Sequence, residues 1–89
     1  MQSVPAWHLY MFDEQYPNLA AWILDGDCWV ELGTTDYSRS TVRILDIGGM
    51  IWESERSYAS VAAALADAEQ ALAAWLAEHG LPVKRSPGA

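Results

Sequence analysis

The sequence predicts a two-layer α+β domain, in which an antiparallel sheet of four or five strands, built from β-hairpins, is packed by one long C-terminal helix. Two observations predict this class. Short apolar runs separated by Gly, Pro and Asp fill residues 7–54, a pattern typical of strands and turns. Residues 61–79 change to a hydrophobic period of three to four, which indicates an amphipathic helix.

The length and composition predict a single domain. The chain has 89 residues, 52% of them hydrophobic, which is too apolar for a disordered acidic tail. We expect a flexible lead-in over residues 1–5, one domain over 6–82 and a flexible tail over 83–89. The longest uncharged run, residues 2–12, is much shorter than the roughly 20 residues that span a bilayer, and no basic residue precedes an apolar core as in a signal peptide. We therefore expect a cytoplasmic protein with no membrane association.

The first half of the chain predicts a strand, a loop and a hairpin. The side chains of residues 7–12 are apolar on both faces of a predicted strand. The polar residues and the proline of 13–18 indicate a loop. Residues 21–24 and 27–32 flank Asp25-Gly26, a dipeptide that readily takes the positive φ angles of a tight turn. We expect these two segments to pair as antiparallel strands.

A second hairpin and the helix follow. Residues 41–46 and 50–54 are joined by Ile47-Gly48-Gly49, where glycine allows a sharp turn. The helix, over about residues 60–79, has Ser60 as its N-cap and Gly80 as the left-handed residue after its last turn. Pro82 prevents its continuation.

No pattern in the sequence indicates a catalytic residue, a metal site or a cofactor site. Cys28 is the single cysteine and is better explained as a small buried residue than as a nucleophile. Asp25-Gly26-Asp27 lacks the further oxygen ligands of a calcium loop. His8 and His79 form no two-histidine motif, and His79 is explained by the helix dipole. An enzyme that uses His8 and a carboxylate is the third of our functional hypotheses.

The net charge of -7 disfavours nucleic-acid binding, because affinity for a phosphate backbone depends on Lys and Arg. A nucleic-acid hypothesis can still be built. In it, bases stack on Trp29 and Trp52 while Arg39 and Arg43 contact phosphates.

Two surfaces are candidates for association. Strand alternation places Trp29, Arg43 and Leu45 on the sheet face that is turned away from the helix, with either Ile51 or Trp52 beside them. The back of the helix is rich in alanine, which lets another backbone approach closely. Simpler explanations are that the N-terminal segment covers the sheet and that alanine is the best helix former. The residues predicted to take part in association are Trp29, Arg43, Leu45, Trp52, Ala66, Gln70 and Ala73.

The segment Gly49-Met50-Ile51-Trp52-Glu53, with Tyr58-Ala59-Ser60 and the alanine-rich helix that ends in Trp75-Leu76, resembles the strand-to-helix end of HicB-type antitoxin domains. Those domains are small α+β folds that oligomerise and bind a toxin. The resemblance, over residues 49–76, implies a binding module with a protein partner.

The hypothesis that these observations favour is a small, acidic, non-catalytic protein-protein interaction module that forms a homodimer. The alternative is an acidic, antitoxin-like inhibitor that binds a basic partner, with Asp67 and Glu78 among its charged contacts.

Overall fold

The computed structural model describes residues 12–34 and 38–85. Within these ranges the chain forms an α+β domain in which two helices cover one face of an antiparallel sheet. In chain order, the elements are α1 (Pro17–Leu24), β1 (Cys28–Leu32), β2 (Val42–Asp46), β3 (Gly49–Glu53) and α2 (Val61–Glu78). The predicted α+β class, antiparallel sheet and C-terminal helix are confirmed.

The predicted number of four or five strands is not confirmed, since the described residues contain three. Residues 21–24, predicted as a strand, are the second half of α1, and the predicted loop over 13–18 is largely helical. Asp25-Gly26 therefore connects a helix to a strand. The other predicted strand, over 7–12, lies outside the described residues except for Phe12, which belongs to a helical turn over 12–15.

Helix α1 forms because its first turn suits a proline and its apolar residues meet the core at helical spacing. Pro17 occupies the first turn, where its fixed φ and missing N–H carry no cost. Leu19 and Trp22, three residues apart, are both buried. The indole Nε1 of Trp22 donates to the Leu45 carbonyl at 2.9 Å, which joins α1 to the sheet.

The sheet has the order β1-β2-β3, so β2 pairs with both neighbours. In the first ladder Val30 lies opposite Ile44, and in the second Ile44 lies opposite Trp52. The second ladder has an irregularity between Ile44 and Leu45, after which Leu45 lies opposite Met50. Ile51 is thus an extra residue on β3, which makes a β-bulge.

The core lies between the two helices and β2. Val42 and Ile44 are fully buried there. The ring of Trp22 from α1 meets that of Trp75 from α2 edge-on, with centroids 5.7 Å apart. The full set of buried hydrophobic residues is Tyr16, Leu19, Trp22, Val42, Ile44, Ala64, Ala68, Leu72 and Leu76.

Helix α2 begins and ends as its sequence predicts. The Ser60 hydroxyl accepts from the Ala63 N–H at 3.0 Å, which caps the first turn. Gly80 has φ +68°, and the Leu81 N–H donates to the Leu76 carbonyl at 2.9 Å, as in a Schellman motif. No helix within the described ranges has the length and apolar character needed to cross a membrane.

The segment that follows α2 returns to α1. Asn18, which is 3% exposed, donates from Nδ2 to the Lys84 carbonyl at 2.9 Å and accepts at Oδ1 from the Lys84 N–H at 2.8 Å. These two bonds resemble one step of a β-ladder. They hold the chain at a position that falls within the predicted tail.

Candidate functional site

The sheet face turned away from both helices carries two rows of side chains. Residues directly opposite each other on neighbouring strands project to the same face. Val30, Ile44 and Trp52 share the core face, so the adjacent cross-strand sets project outward. We name Trp29, Leu45 and Met50 the apolar row. We name Glu31, Arg43 and Glu53 the charged row.

The apolar row is substantially open to solvent. Trp29 is 42% exposed and Met50 is 50% exposed, while Leu45 between them is half-buried. The indole Nε1 of Trp29 donates to Glu31 Oε2 at 3.4 Å, which is a long bond that links the two rows. One exposed apolar side chain is ordinary, but a row of three crossing every described strand is a candidate contact surface.

The charged row is built around a buried arginine. Arg43 is 3% exposed, and its guanidinium donates to Glu31 Oε1 at 2.9 Å, to the Gly33 carbonyl at 2.6 Å and to the Ser40 carbonyl at 2.8 Å. This satisfies the buried charge, which would otherwise be costly. The hydrogen bond from Arg43 lowers the pKa of Glu31 from its ordinary value.

A polar cavity lies at the Glu53 end of the charged row. Glu53 Oε2 accepts from the Ser38 hydroxyl at 3.1 Å and from the Ser40 hydroxyl at 3.2 Å. The cavity has a volume of about 280 Å³. It is lined by Ser38, Arg39, Ser40, Glu53, Ser54 and Arg56.

Trp29, Arg43 and Leu45 are brought together on the outer face, but Trp52 is not among them. Trp52 lies opposite Ile44 and packs against the core. The expectation that Ile51 or Trp52 completes the outer face is therefore corrected. The β-bulge shifts the register of β3, so Met50 takes that place.

The nucleic-acid hypothesis required Trp29, Trp52, Arg39 and Arg43 on one surface. Arg43 is buried with its donors engaged, and Trp52 lies on the core side. These positions leave Trp29 and Arg39 as the exposed members of that set.

The alanine face of α2 is exposed at Ala66 and Gln70, whereas Ala73 is half-buried. Ala64 and Ala68 are fully buried and pack on the core. Some alanines of α2 are therefore exposed and others are buried. A small side chain is needed only at the buried positions, where the helix approaches the sheet and α1.

The residues considered for chemistry have structural contacts. Partial burial, with the carboxylates of Asp25, Asp46 and Asp27, raises the pKa of the Cys28 thiol, which disfavours the reactive thiolate. The Asp27 N–H donates to Asp25 Oδ1 at 3.1 Å, which makes a local turn.

His79 makes structural contacts at the end of α2. His79 Nδ1 lies 2.8 Å from the Trp75 carbonyl, and its ring stacks on Trp75. His8 lies outside the described residues. Among the residues that the structure describes, no three His, Cys, Asp or Glu come together as a metal site.

Sequence reasoning missed Met50, Ser40 and the part played by Glu53. Met50 lies on the outer face because of the β-bulge, and the only signal for that bulge in the sequence is Gly48-Gly49. Ser40 and Glu53 are 13 residues apart and meet through the β2-β3 ladder. The serine-rich stretch before β2 was the available indication of a polar site.

Comparison with known proteins finds no match for this chain among protein-family models, curated proteins or solved structures. The HicB resemblance of residues 49–76 stays a prediction.

Proposed function

We propose that this protein is a non-catalytic interaction module that self-associates through the apolar row. The observation that carries the proposal is the continuity of Trp29, Leu45 and Met50 across all three described strands, on the face opposite both helices. Trp and Met are enriched in protein interfaces, where they supply large contact areas. Ile47, at the turn between β2 and β3, is a further large apolar side chain and is 83% exposed.

A second copy of the chain fits this surface because an isologous contact needs a patch that complements itself. Two apolar rows placed face to face meet that requirement. The charged row beside them does not oppose the contact strongly, since the Arg43 guanidinium pairs with Glu31. Most of the net charge of -7 lies elsewhere on the chain, and charges beyond about 8 Å are largely screened at physiological salt.

The test is the solution mass, measured by light scattering over a dilution series. We expect a homodimer for the wild type. Trp29→Ser shifts the equilibrium toward monomer, with a dissociation constant at least about tenfold higher, because Trp is enriched among the few residues that dominate the binding energy of such contacts. Ala66→Glu, on the exposed alanine face of α2, is the matched control and leaves the dimer unchanged. Far-ultraviolet circular dichroism checks that both variants fold.

The opposite pattern, with a dimer lost in Ala66→Glu and kept in Trp29→Ser, places the contact on the helix and overturns the proposed surface. A wild type that is monomeric at every concentration overturns self-association. The search then turns to a different protein as the partner of the apolar row.

A further inference from the structure

We propose that the cavity at the Glu53 end of the charged row binds a phosphate group of a small molecule, with Arg39 and Arg56 as its main contacts. The site does not depend on self-association, since the two arginines lie outside the apolar row. It rests on the cavity of about 280 Å³ and on the charges that line it.

The first step of the argument is the state of the two arginines. Both are exposed and line the same cavity. Within the described residues, neither guanidinium has a hydrogen bond or ion pair. They are two of the five basic residues in a chain that has twelve acidic ones. The lining therefore places two unpaired cations against the single carboxylate of Glu53.

The second step concerns geometry. A guanidinium carries five N–H donors in a planar fork that matches the oxygens of a phosphate. Two arginines that turn their guanidinium groups to one ligand can offer more donors than a single carboxylate accepts, whereas a phosphate monoester has three terminal oxygens and up to two negative charges. The lining therefore favours a doubly charged oxyanion over a carboxylate.

The third step concerns Glu53, which also lines the cavity. The Ser38 and Ser40 hydroxyls both donate to its Oε2, so the segment before β2 compensates part of its charge. The remaining charge repels an anion and sets a moderate affinity. Removing the charge of Glu53 is therefore expected to raise the affinity for phosphate, which makes Glu53 the most informative position to change.

The size of the cavity limits the ligand. A volume of about 280 Å³ is close to the lower end of the range for small-molecule sites, roughly 300–1,000 Å³. Such a space holds a phosphate and a small group attached to it. The polar lining residues, three of them serines, match a hydrophilic ligand.

The experiment is a titration of the ¹⁵N-labelled full chain with inorganic phosphate, at an ionic strength kept constant with sodium chloride. We expect saturable shifts of the amide signals of Ser40, Glu53 and Arg56 in two-dimensional NMR spectra. The double variant R39Q/R56Q weakens binding by about tenfold or more, because charge-assisted hydrogen bonds are lost. K84Q/R85Q removes the same amount of charge elsewhere and keeps the wild-type affinity.

Glu53→Gln gives the second readout, since it keeps an oxygen that accepts from the serines and removes the like charge. We expect phosphate to bind several-fold more tightly to this variant. Shifts that do not saturate, or an equal loss in K84Q/R85Q, overturn the site. An unchanged or weaker affinity in folded Glu53→Gln also contradicts it.

Discussion

Glu69 in the middle of α2 holds Asn18 at the start of α1 by two hydrogen bonds to one carboxylate oxygen. Glu69 Oε2 accepts from Asn18 Nδ2 at 2.6 Å and from the Asn18 backbone N–H at 3.0 Å. Its Oε1 accepts from the Leu19 N–H at 2.9 Å. Because Tyr16 provides no side-chain cap, the carboxylate of a residue about fifty positions later caps α1.

Glu69→Ala tests the value of this cap. We expect the free energy of unfolding to fall by about 2–3 kcal/mol, because a buried amide and two backbone N–H groups lose a charged acceptor. Urea denaturation followed by tryptophan fluorescence measures the change. Glu78→Ala removes an exposed carboxylate of the same helix and changes stability by less than about 0.5 kcal/mol. Equal losses in the two variants contradict the capping role.

Asn18→Ala tests how the segment after α2 is held. The Lys84 N–H loses its acceptor and the Lys84 carbonyl loses its donor. We expect amide hydrogen exchange at Lys84 to become at least about tenfold faster, because the local structure opens without global unfolding. Gln70→Ala, at an exposed position of α2, is the control and leaves this rate unchanged. A Lys84 amide that stays protected in Asn18→Ala shows that other contacts fix the segment.

Glu31 makes stability depend on pH through Arg43. Its folded-state pKa is lowered, chiefly by the hydrogen bond from Arg43, so the pair stabilises the fold above the ordinary glutamate pKa of about 4.3. That contribution is lost as the pH falls through the lowered folded value. We expect the urea midpoint of the wild type to exceed that of Glu31→Gln at pH 7, with the difference shrinking in acid. A difference that stays constant down to pH 3 excludes this linkage.

Tyr58 is expected to make the stability of the fold decrease at high pH, the opposite of the effect of Glu31. Its hydroxyl donates to Asp67 Oδ2 at 2.5 Å, and this bond is the main cause of the raised pKa of Tyr58. The stabilisation is complete below the ordinary tyrosine pKa and is lost as the pH rises through the raised folded value.

Titration of the phenolate absorbance is expected to include a step above the ordinary tyrosine pKa of about 10, from Tyr58. Tyr58→Phe removes that step, and Asp67→Ala returns it toward the ordinary value. If the step at high pH persists in Tyr58→Phe, it belongs to another tyrosine. The same contact means that charge reversal at Asp67 also perturbs the fold, so Glu78 is the cleaner position for testing the acidic-inhibitor alternative.

The local sequence by itself determined α2 and the hairpin of β2 and β3. Ser60 and Gly80 mark the helix ends because a hydroxyl cap and a left-handed residue act within one turn. Alternation in β1 and β2 likewise determined that Trp29, Arg43 and Leu45 share a face, since successive side chains of a strand point to opposite sides.

Tertiary structure decided the rest. Residues 21–24 are compatible with a strand or a helix, and the helix forms where Glu69 caps its start and Trp22 reaches the Leu45 carbonyl. The bulge opposite Ile44 and Leu45 put Met50 outside and Trp52 inside. The burial of Arg43 depends on acceptors from Glu31, Gly33 and Ser40. These outcomes depend on contacts between different elements, such as Glu69 with the start of α1 and Glu31 with Arg43. Alternation and periodicity within one segment do not specify which groups the fold brings together.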